Sequence, residues 1–386
     1  MVGSVQSVSA PDTKRFDVGI AGAGQLARMT ALAAWPLGIT VAVLGGPGDP
    51  AAGVAHGLVE GDWRDADAVA ALGRACRVVT LENEFVDALA LAHVAAAGTP
   101  VRPDPASIAI VQDKARQKDL LASAGLPLPH YLLVEEAASL DAAGRDLGWP
   151  LMLKRRRLGY DGYGNVTCVN IDAARDAFSK LDDGDGVLVE RWVPFERELA
   201  VMVARRPGGQ ALAYPVVETI QRDHVCRRVD VPASGSQNQL TQANEIALAA
   251  THAALGIGVT GVELFALASG EVLINEIAPR PHNSGHFTIE ACETSQFENH
   301  LRGVLDLPLG PVNLRAPAAV MVNILGSRNG PAEPNRQALT VPGAHLHLYD
   351  KREVRVRRKM GHVTALGATV EEARERAEQA AAAVDL

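Results

Sequence analysis

Short apolar runs alternate with helix-period segments over the first hundred residues. Phe16–Ala21, Thr40–Leu44 and Arg77–Thr80 read as strands, and a helix opens after Gly22-Ala23-Gly24 and runs to about Ala34. Strands alternating with helices predict a parallel α/β sheet, placed at residues 16–106. Asp113 then caps a helix that Gly125 and Pro127 close. His130–Val134, Pro150–Lys154, Val166–Asn170 and Val187–Arg191 read as strands, with a helix ending near Leu147-Gly148. Glu198–Ala204 and Ala211–Val217 continue the β pattern, and 239–255 is a long helix. Ser295 to Glu298 forms a capping box before Phe297, Leu301 and Leu305 at helical spacing. Residues 308–317 read as a linker to a small domain of short strands, ended by a helix that Thr369 caps, with Ala373, Ala377 and Ala380 on one face.

The most informative pattern is a pair of apolar strands, 262–267 and 272–274, around the turn signal Ala268-Ser269-Gly270-Glu271. A tight turn centred on Ser269-Gly270 places Glu263 opposite Glu276. Cross-strand neighbours have Cβ atoms roughly 5 Å apart, so the two carboxylates need a positive charge between them. Unpaired charge inside apolar strands is costly, and paired hard oxygens suit Mg²⁺. The polar, cationic strip Arg280, His282, Asn283, Ser284 and His286 follows at once. A surface hairpin with two solvated glutamates is the plain alternative. Strict alternation puts Asn275 on the face opposite Glu276, so a metal role for Asn275 requires twisting at the strand end.

Composition narrows the classes. The chain has 386 residues, a net charge of −8 and no long run of one sign, which argues against nucleic-acid binding. Four scattered cysteines without a Cys-x-x-Cys pair argue against structural zinc and a disulfide framework, and fit a reducing cytoplasm. No apolar run is long enough for a membrane span. Residues 1–15 read as a disordered tail. The turn Gly22-x-Gly24-x-x-Ala27 suits a phosphate at a helix N-terminus, but Gly45 and Gly46 stand where a dinucleotide site needs an acidic residue. A nicotinamide-binding dehydrogenase built on that turn is therefore the weaker reading, and a turn binding another phosphate, or none, the better one. The segment 154–164, Lys-Arg-Arg-Arg-Leu-Gly-Tyr-Asp-Gly-Tyr-Gly, is a basic, glycine-punctuated loop that could close over nucleotide phosphates. Glu190, Glu196 and Glu198 could offer a carboxylate to ribose hydroxyls. Lys351 and Arg358 belong to a basic cluster that could hold a phosphate monoester.

Gly24-Gln25-Leu26-Ala27-Arg28-Met29, Gln117-Lys118, 154–164, 349–362 and above all 275–286 together resemble the ATP-grasp superfamily. Within it they resemble the family of N5-carboxyaminoimidazole ribonucleotide synthases. The resemblance implies an α/β fold of three parts: a Rossmann-like N-terminal domain, a two-lobed α+β ATP-grasp module at 107–309 with its smaller lobe at about 126–193, and a small C-terminal domain at 310–386. It implies ATP- and Mg²⁺-dependent carboxylation of 5-aminoimidazole ribonucleotide with bicarbonate, through carboxyphosphate, with Mn²⁺ an alternative ion. Lys114 and Lys154 would meet ATP phosphates under the loop of Gly159, Tyr160, Asp161, Gly162 and Gly164. Glu190, Arg191, Trp192 and Val193 would meet the adenine, Glu198 the ribose, and Gln221 and Asn275 would lie near the nucleotide. Glu263 and Glu276 would hold the metal. Arg280, His282 and Asn283 would position bicarbonate, with Lys154 and Asp161 also counted as catalytic. Tyr160, Asp161, Gln25, Ser284, Lys351 and Arg358 would help hold the ribonucleotide. A homodimer and a functional link to the downstream mutase are further implications. Leu158 stands where the family has glycine, Tyr163 where a basic residue is common, and Thr219 and Gln221 where Asn and His are expected. Another ATP-grasp ligase that makes an acyl-phosphate from a different acid remains the alternative, along with a nucleotide sensor that keeps the pocket without turnover.

Overall fold

A computed structural model describes residues 15–159 and 164–386. The tail expected at 1–15 therefore lies outside the described residues, except Arg15, which donates its amide to Ala75 O. Tyr160, Asp161, Gly162 and Tyr163 also lie outside them.

The N-terminal sheet has four parallel strands in the order Gly57–Glu60, Val41–Gly45, Phe16–Ala21, Cys76–Leu81. Val18, Val41, Val43 and Ile20 are fully or almost fully buried, as expected of a parallel sheet covered on both faces. The helix Gln25–Ala34 packs under one face and is joined there by Leu301 and Val304 of the helix Gln296–Val304. The N-terminal unit is thereby bound to the rest of the molecule through a shared apolar core.

A smaller antiparallel sheet follows, ordered Tyr131–Val134, Val187–Arg191, Leu151–Arg155, Asn165–Cys168. Leu151, Leu153, Val187 and Val189 pack beneath the helices Leu140–Leu147 and Ile171–Leu181. Period-two alternation then turns Met152 and Lys154 to the opposite face, where they line the central cleft. The strand expected at 166–170 ends at Cys168, because the Asn170 side chain instead caps the helix Ile171–Leu181 by accepting from Ala173 N.

The third sheet is antiparallel and nine-stranded. Its main path is Val272–Ala278, Gly258–Leu267, Phe195–Arg205, Val217–Arg222, Val225–Val231, Ala318–Leu325, Lys359–Gly367, Ala344–Leu348. The last three strands belong to the segment expected as a separate domain of short strands. They also continue the central sheet: Ala319 to Val322 pair with Val231 to Arg228, and the strands at 318 and 359 are long, with eight and nine residues. A sheet extended across 308–317 leaves no open edge at Val225–Val231. The helices Gln237–Ala253 and Val370–Ala382 cover parts of this sheet. Among the described residues no helix is long and apolar enough to cross a membrane, and the four cysteines are free.

Candidate active site

The hairpin brings Glu263 opposite Glu276. The turn alone would not do so. Leu267 N donates to Glu271 O, and Ala266, Phe265 and Leu264 pair with Val272, Leu273 and Ile274. That register would set Glu263 against Asn275. A bulge between Glu263 and Leu264 inserts Asn275 as an extra residue and restores the carboxylate pair. It also removes the conflict over Asn275. Its Oδ1 accepts from Lys154 Nζ at 2.9 Å, and its Nδ2 lies 3.4 Å from Glu263 Oε2. The backbone oxygens at the bulge are met by Lys118, whose Nζ donates to Asn275 O at 2.8 Å and to Ile274 O at 3.3 Å. Gln117 clamps Ile277, accepting from Ile277 N and donating to Ile277 O.

Three lysines neutralise two glutamates here. Lys114 pairs with Glu276, while Glu190 sits between Lys118 at 2.8 Å and Lys154 at 2.7 Å with all three side chains buried. Burial opposes charge on Glu190, yet the two lysines hold its carboxyl far below the usual range. The carboxylate pair is asymmetric. Burial, and then the neighbouring Glu276 and Glu198, push Glu263 up. Burial pushes Glu276 the same way, but Lys114 and Lys154 outweigh it and keep that carboxyl low. Two facing, half-buried carboxylates, one with a raised proton affinity, suit a divalent cation with hard-oxygen preference. The donor set fits Mg²⁺.

The loop stem is anchored on a buried aspartate. Asp113 caps the helix Lys114–Ser123 through Ala115 N and Arg116 N. It also accepts from Arg156 Nε at 2.8 Å and Arg157 Nη2 at 3.2 Å. The arginines at 156 and 157 are thus tied to the helix that carries Lys114. Leu158 has a left-handed backbone, with φ of 60°, and its side chain is exposed. Glycine is the residue that takes this conformation without strain, so the departure from the family pattern falls on a position with a glycine-like backbone. Gly159 and Gly164 flank the residues not described, and Gly164 has φ of 90°.

The anion strip is rigid. Arg280 is held side-on by Glu84, with Nη2 donating to Oε1 at 2.8 Å and Nε to Oε2. Burial opposes the Glu84 charge, but Arg280 holds its carboxyl below the ordinary value. His282 lies 3.3 Å from Glu263 through Nε2 and 2.7 Å from Ser284 Oγ through Nδ1. Burial, then Arg280, lowers its proton affinity to about 4, so it is neutral at pH 7. Asn283 exchanges two hydrogen bonds with Asn323, at 3.0 and 2.7 Å. Gln296 accepts from His282 N and donates to His282 O, fixing the turn.

Lys154, Glu263, Asn275, Glu276, Arg280, His282, Asn283 and Ser284 line one cleft of about 440 Å³, together with Gln25, Met152, Trp192, Phe195, Glu198, Thr219, Gln221 and Lys359. Glu190 and Val193 are buried beside it, and Arg191 donates through Nε to Leu147 O. Gln221 donates to Glu198 Oε2 at 2.7 Å, so the glutamine in place of histidine orients the carboxylate at the apolar end of the cleft. Burial pushes the Glu198 carboxyl up to about 7. Below that pH it carries a proton; above it both oxygens accept. The KM for ATP is expected to fall as pH rises through about 7, and Glu198→Gln to flatten that dependence. A profile unchanged by the substitution would remove Glu198 from the nucleotide site.

Lys351 and Arg358 are not on the cleft wall. Lys351 Nζ donates to Lys359 O at 2.6 Å and lies over the Tyr349 ring, and Arg358 donates to Glu353 O. Lys359 reaches the cleft instead; sequence reading passed over it because it is one cation among several. The amides of the glycine turn are satisfied from within the chain. Gly24 N and Leu26 N, amides suited to a phosphate, donate to Glu82 at 2.8 and 3.3 Å. The chain's own carboxylate occupies the anion position, and a Cβ on Gly24 would lie 2.2 Å from it. Sequence reading missed Glu82 and Glu84. Their signal is a run of acidic residues just past the C-terminal end of a parallel strand, where α/β sheets place ligands.

Comparison with known proteins identifies the family. The ribonucleotide synthetase preATP-grasp domain matches residues 16–112, the ATP-grasp domain residues 119–297, and the phosphoribosylaminoimidazole carboxylase C-terminal domain residues 319–376. The N5-carboxyaminoimidazole ribonucleotide synthase of Synechococcus elongatus is 43% identical over 370 residues, covering 94% of this chain and 92% of that protein. The carboxyaminoimidazole ribonucleotide synthase of Aspergillus clavatus, solved with ATP, superimposes with a TM-score of 0.88 at 37% identity, covering 95% and 97% of the two chains. A second structure from that organism, with ADP and 5-aminoimidazole ribonucleotide, gives 0.87 at 37%, covering 95% and 98%. The chain belongs to the N5-carboxyaminoimidazole ribonucleotide synthase family and is an ATP-grasp ligase.

Proposed function

We propose that this ligase carboxylates 5-aminoimidazole ribonucleotide at the expense of ATP, in purine biosynthesis, with bicarbonate as the carboxyl source. The observation that carries the reading is the continuity of a single cleft, from the Glu198–Gln221 pair past Lys154, Glu263 and Glu276 to Arg280, His282 and Asn283. A relative of the same fold was solved with ADP and 5-aminoimidazole ribonucleotide.

Bicarbonate is a poor nucleophile and the γ-phosphoryl group is densely charged. Lys114 and Lys154 meet the phosphates, the segment 190–193 meets the adenine and Glu198 the ribose. Mg²⁺, held by Glu263 and Glu276, would offset phosphate charge when bound. Arg280, His282 and Asn283 hold bicarbonate in line with the γ-phosphorus. A bicarbonate oxygen attacks phosphorus and ADP leaves, giving carboxyphosphate. The ribonucleotide amine then bonds to the carboxyl carbon as phosphate departs and the amine loses a proton, leaving the carbamate. Carboxyphosphate is short-lived in water, which gives the basic loop its purpose. Tyr160 and Asp161 would contact the ribonucleotide, and Lys351 and Arg358, which stand outside the cleft wall, would take the phosphate that projects beyond it. The protein acts as a homodimer and hands its product to the mutase that moves the carboxyl group to carbon.

Two tests follow. ¹³C-bicarbonate should appear in a carbamate on the ribonucleotide in amounts equal to the ADP formed; label in formyl or other acyl products instead would favour a different acid. Lys351→Ala should raise the KM for the ribonucleotide about tenfold or more, the scale of one lost charge-assisted contact, with little change in that for ATP. Equal effects on both would contradict a ribonucleotide-phosphate role.

A further inference from the structure

We propose that Glu290, His347 and His362 form a second metal site, for a zinc-type divalent cation, distinct from the carboxylate pair. The three side chains come from the short helix Thr288–Ala291 and the strands Ala344–Leu348 and Lys359–Gly367. Their ligand atoms all lie within 4.8 Å of one another. His347 and His362 are direct cross-strand partners, with ring centroids 4.5 Å apart. His347 Nε2 lies 2.6 Å from Glu290 Oε1.

Two buried atoms of this cluster have no partner among the described residues: His362 Nε2 and Glu290 Oε2. His362 is 0% exposed. A buried polar atom left without a partner costs about 1–3 kcal/mol, and here two belong to residues of one cluster. A cation between them would satisfy both. His362 is held on its other nitrogen by Tyr349, with Nδ1 2.9 Å from the phenolic oxygen, the outer contact that commonly orients a ligating imidazole. Burial, and then its histidine neighbours, keep His362 neutral, and neutral imidazole is the form that binds metal.

Two imidazoles and a carboxylate suit zinc, whereas magnesium prefers an all-oxygen set. Tetrahedral bonds of about 2.0–2.2 Å put ligand atoms roughly 3.4 Å apart, so closing the set needs side-chain movements of about 1 Å. The ion would tie the helix at 288–291, which directly follows the anion strip, to the C-terminal strands. His286 of that strip lies against His362, centroid to centroid 5.1 Å.

The test is a Co²⁺ titration of chelator-treated protein in excess Mg²⁺, read by visible absorption and by equilibrium dialysis against Zn²⁺. Mg²⁺ fills the carboxylate pair. One equivalent of Co²⁺ with an intense tetrahedral spectrum, displaced by Zn²⁺, is the expected result. His347→Ala and Glu290→Gln should each weaken binding about tenfold or more, and Glu276→Ala should leave it unchanged. Glu290→Gln keeps the shape of the side chain and reports even if His347→Ala fails to fold. No Co²⁺ bound beyond the Mg²⁺-protected site, or equal binding in Glu290→Gln, overturns the proposal.

Discussion

Glu276→Ala is expected to abolish turnover while the protein remains folded. The substitution removes one of two facing carboxylates that fit the metal, and charge stabilisation by a metal at a phosphoryl group is worth several kcal/mol. That corresponds to a loss of roughly a thousandfold or more in kcat. The fold should tolerate it. Glu276 is partly exposed, at 37% of its side chain, and its removal relieves the like charge that pushes Glu263 up. Lys114 loses its direct partner but still feels Glu190 and Glu263. A denaturant midpoint close to that of the parent, alongside kcat at background, checks both halves. Near-normal kcat would refute the metal assignment.

Glu190→Ala should have the opposite signature, with stability lost first. It leaves Lys118 and Lys154 side by side, buried and without their shared counter-charge. Breaking a buried pair by removing one partner costs about 3–5 kcal/mol. Two lysines depend on this one carboxylate, so the upper part of that range is expected. Chemical denaturation measures it directly, and excess ATP should restore part of the loss, because a ligand bound to the native state stabilises by mass action and its phosphates would face Lys154. A change below about 1 kcal/mol would mean that the lysines are compensated elsewhere.

The site was more legible than the sheet that carries it. Glu263, Glu276 and the strip from Arg280 to Ser284 stood out because charged groups interrupt apolar strands, and the structure sets them in one cleft. A plain tight hairpin centred on Ser269-Gly270 predicts Glu263 opposite Glu276; the register is in fact made by the Asn275 bulge. Bulges have no strong sequence signal, since they depend on which partner fits the extra residue, here Lys118 and Lys154. The strand Val225–Val231 escaped notice because Arg227, Arg228 and Asp230 break its apolar alternation. Their charges are met by the chain itself, Arg228 by Asp230 and Glu378, and Asp230 also by Arg374. With that strand unread, the continuation of the sheet into 318–367 was unread as well. Lys351 and Arg358 show the remaining difficulty: local charge density marks a basic segment, but which cation reaches the cleft depends on side-chain direction across a strand pair.

ADP release from ATP, Mg²⁺ and bicarbonate, measured with and without 5-aminoimidazole ribonucleotide, tests the central claim most directly. Strong stimulation by the ribonucleotide that disappears when bicarbonate is removed is the predicted result. ADP release indifferent to the ribonucleotide would contradict it and point to another acceptor on the same ATP-grasp frame.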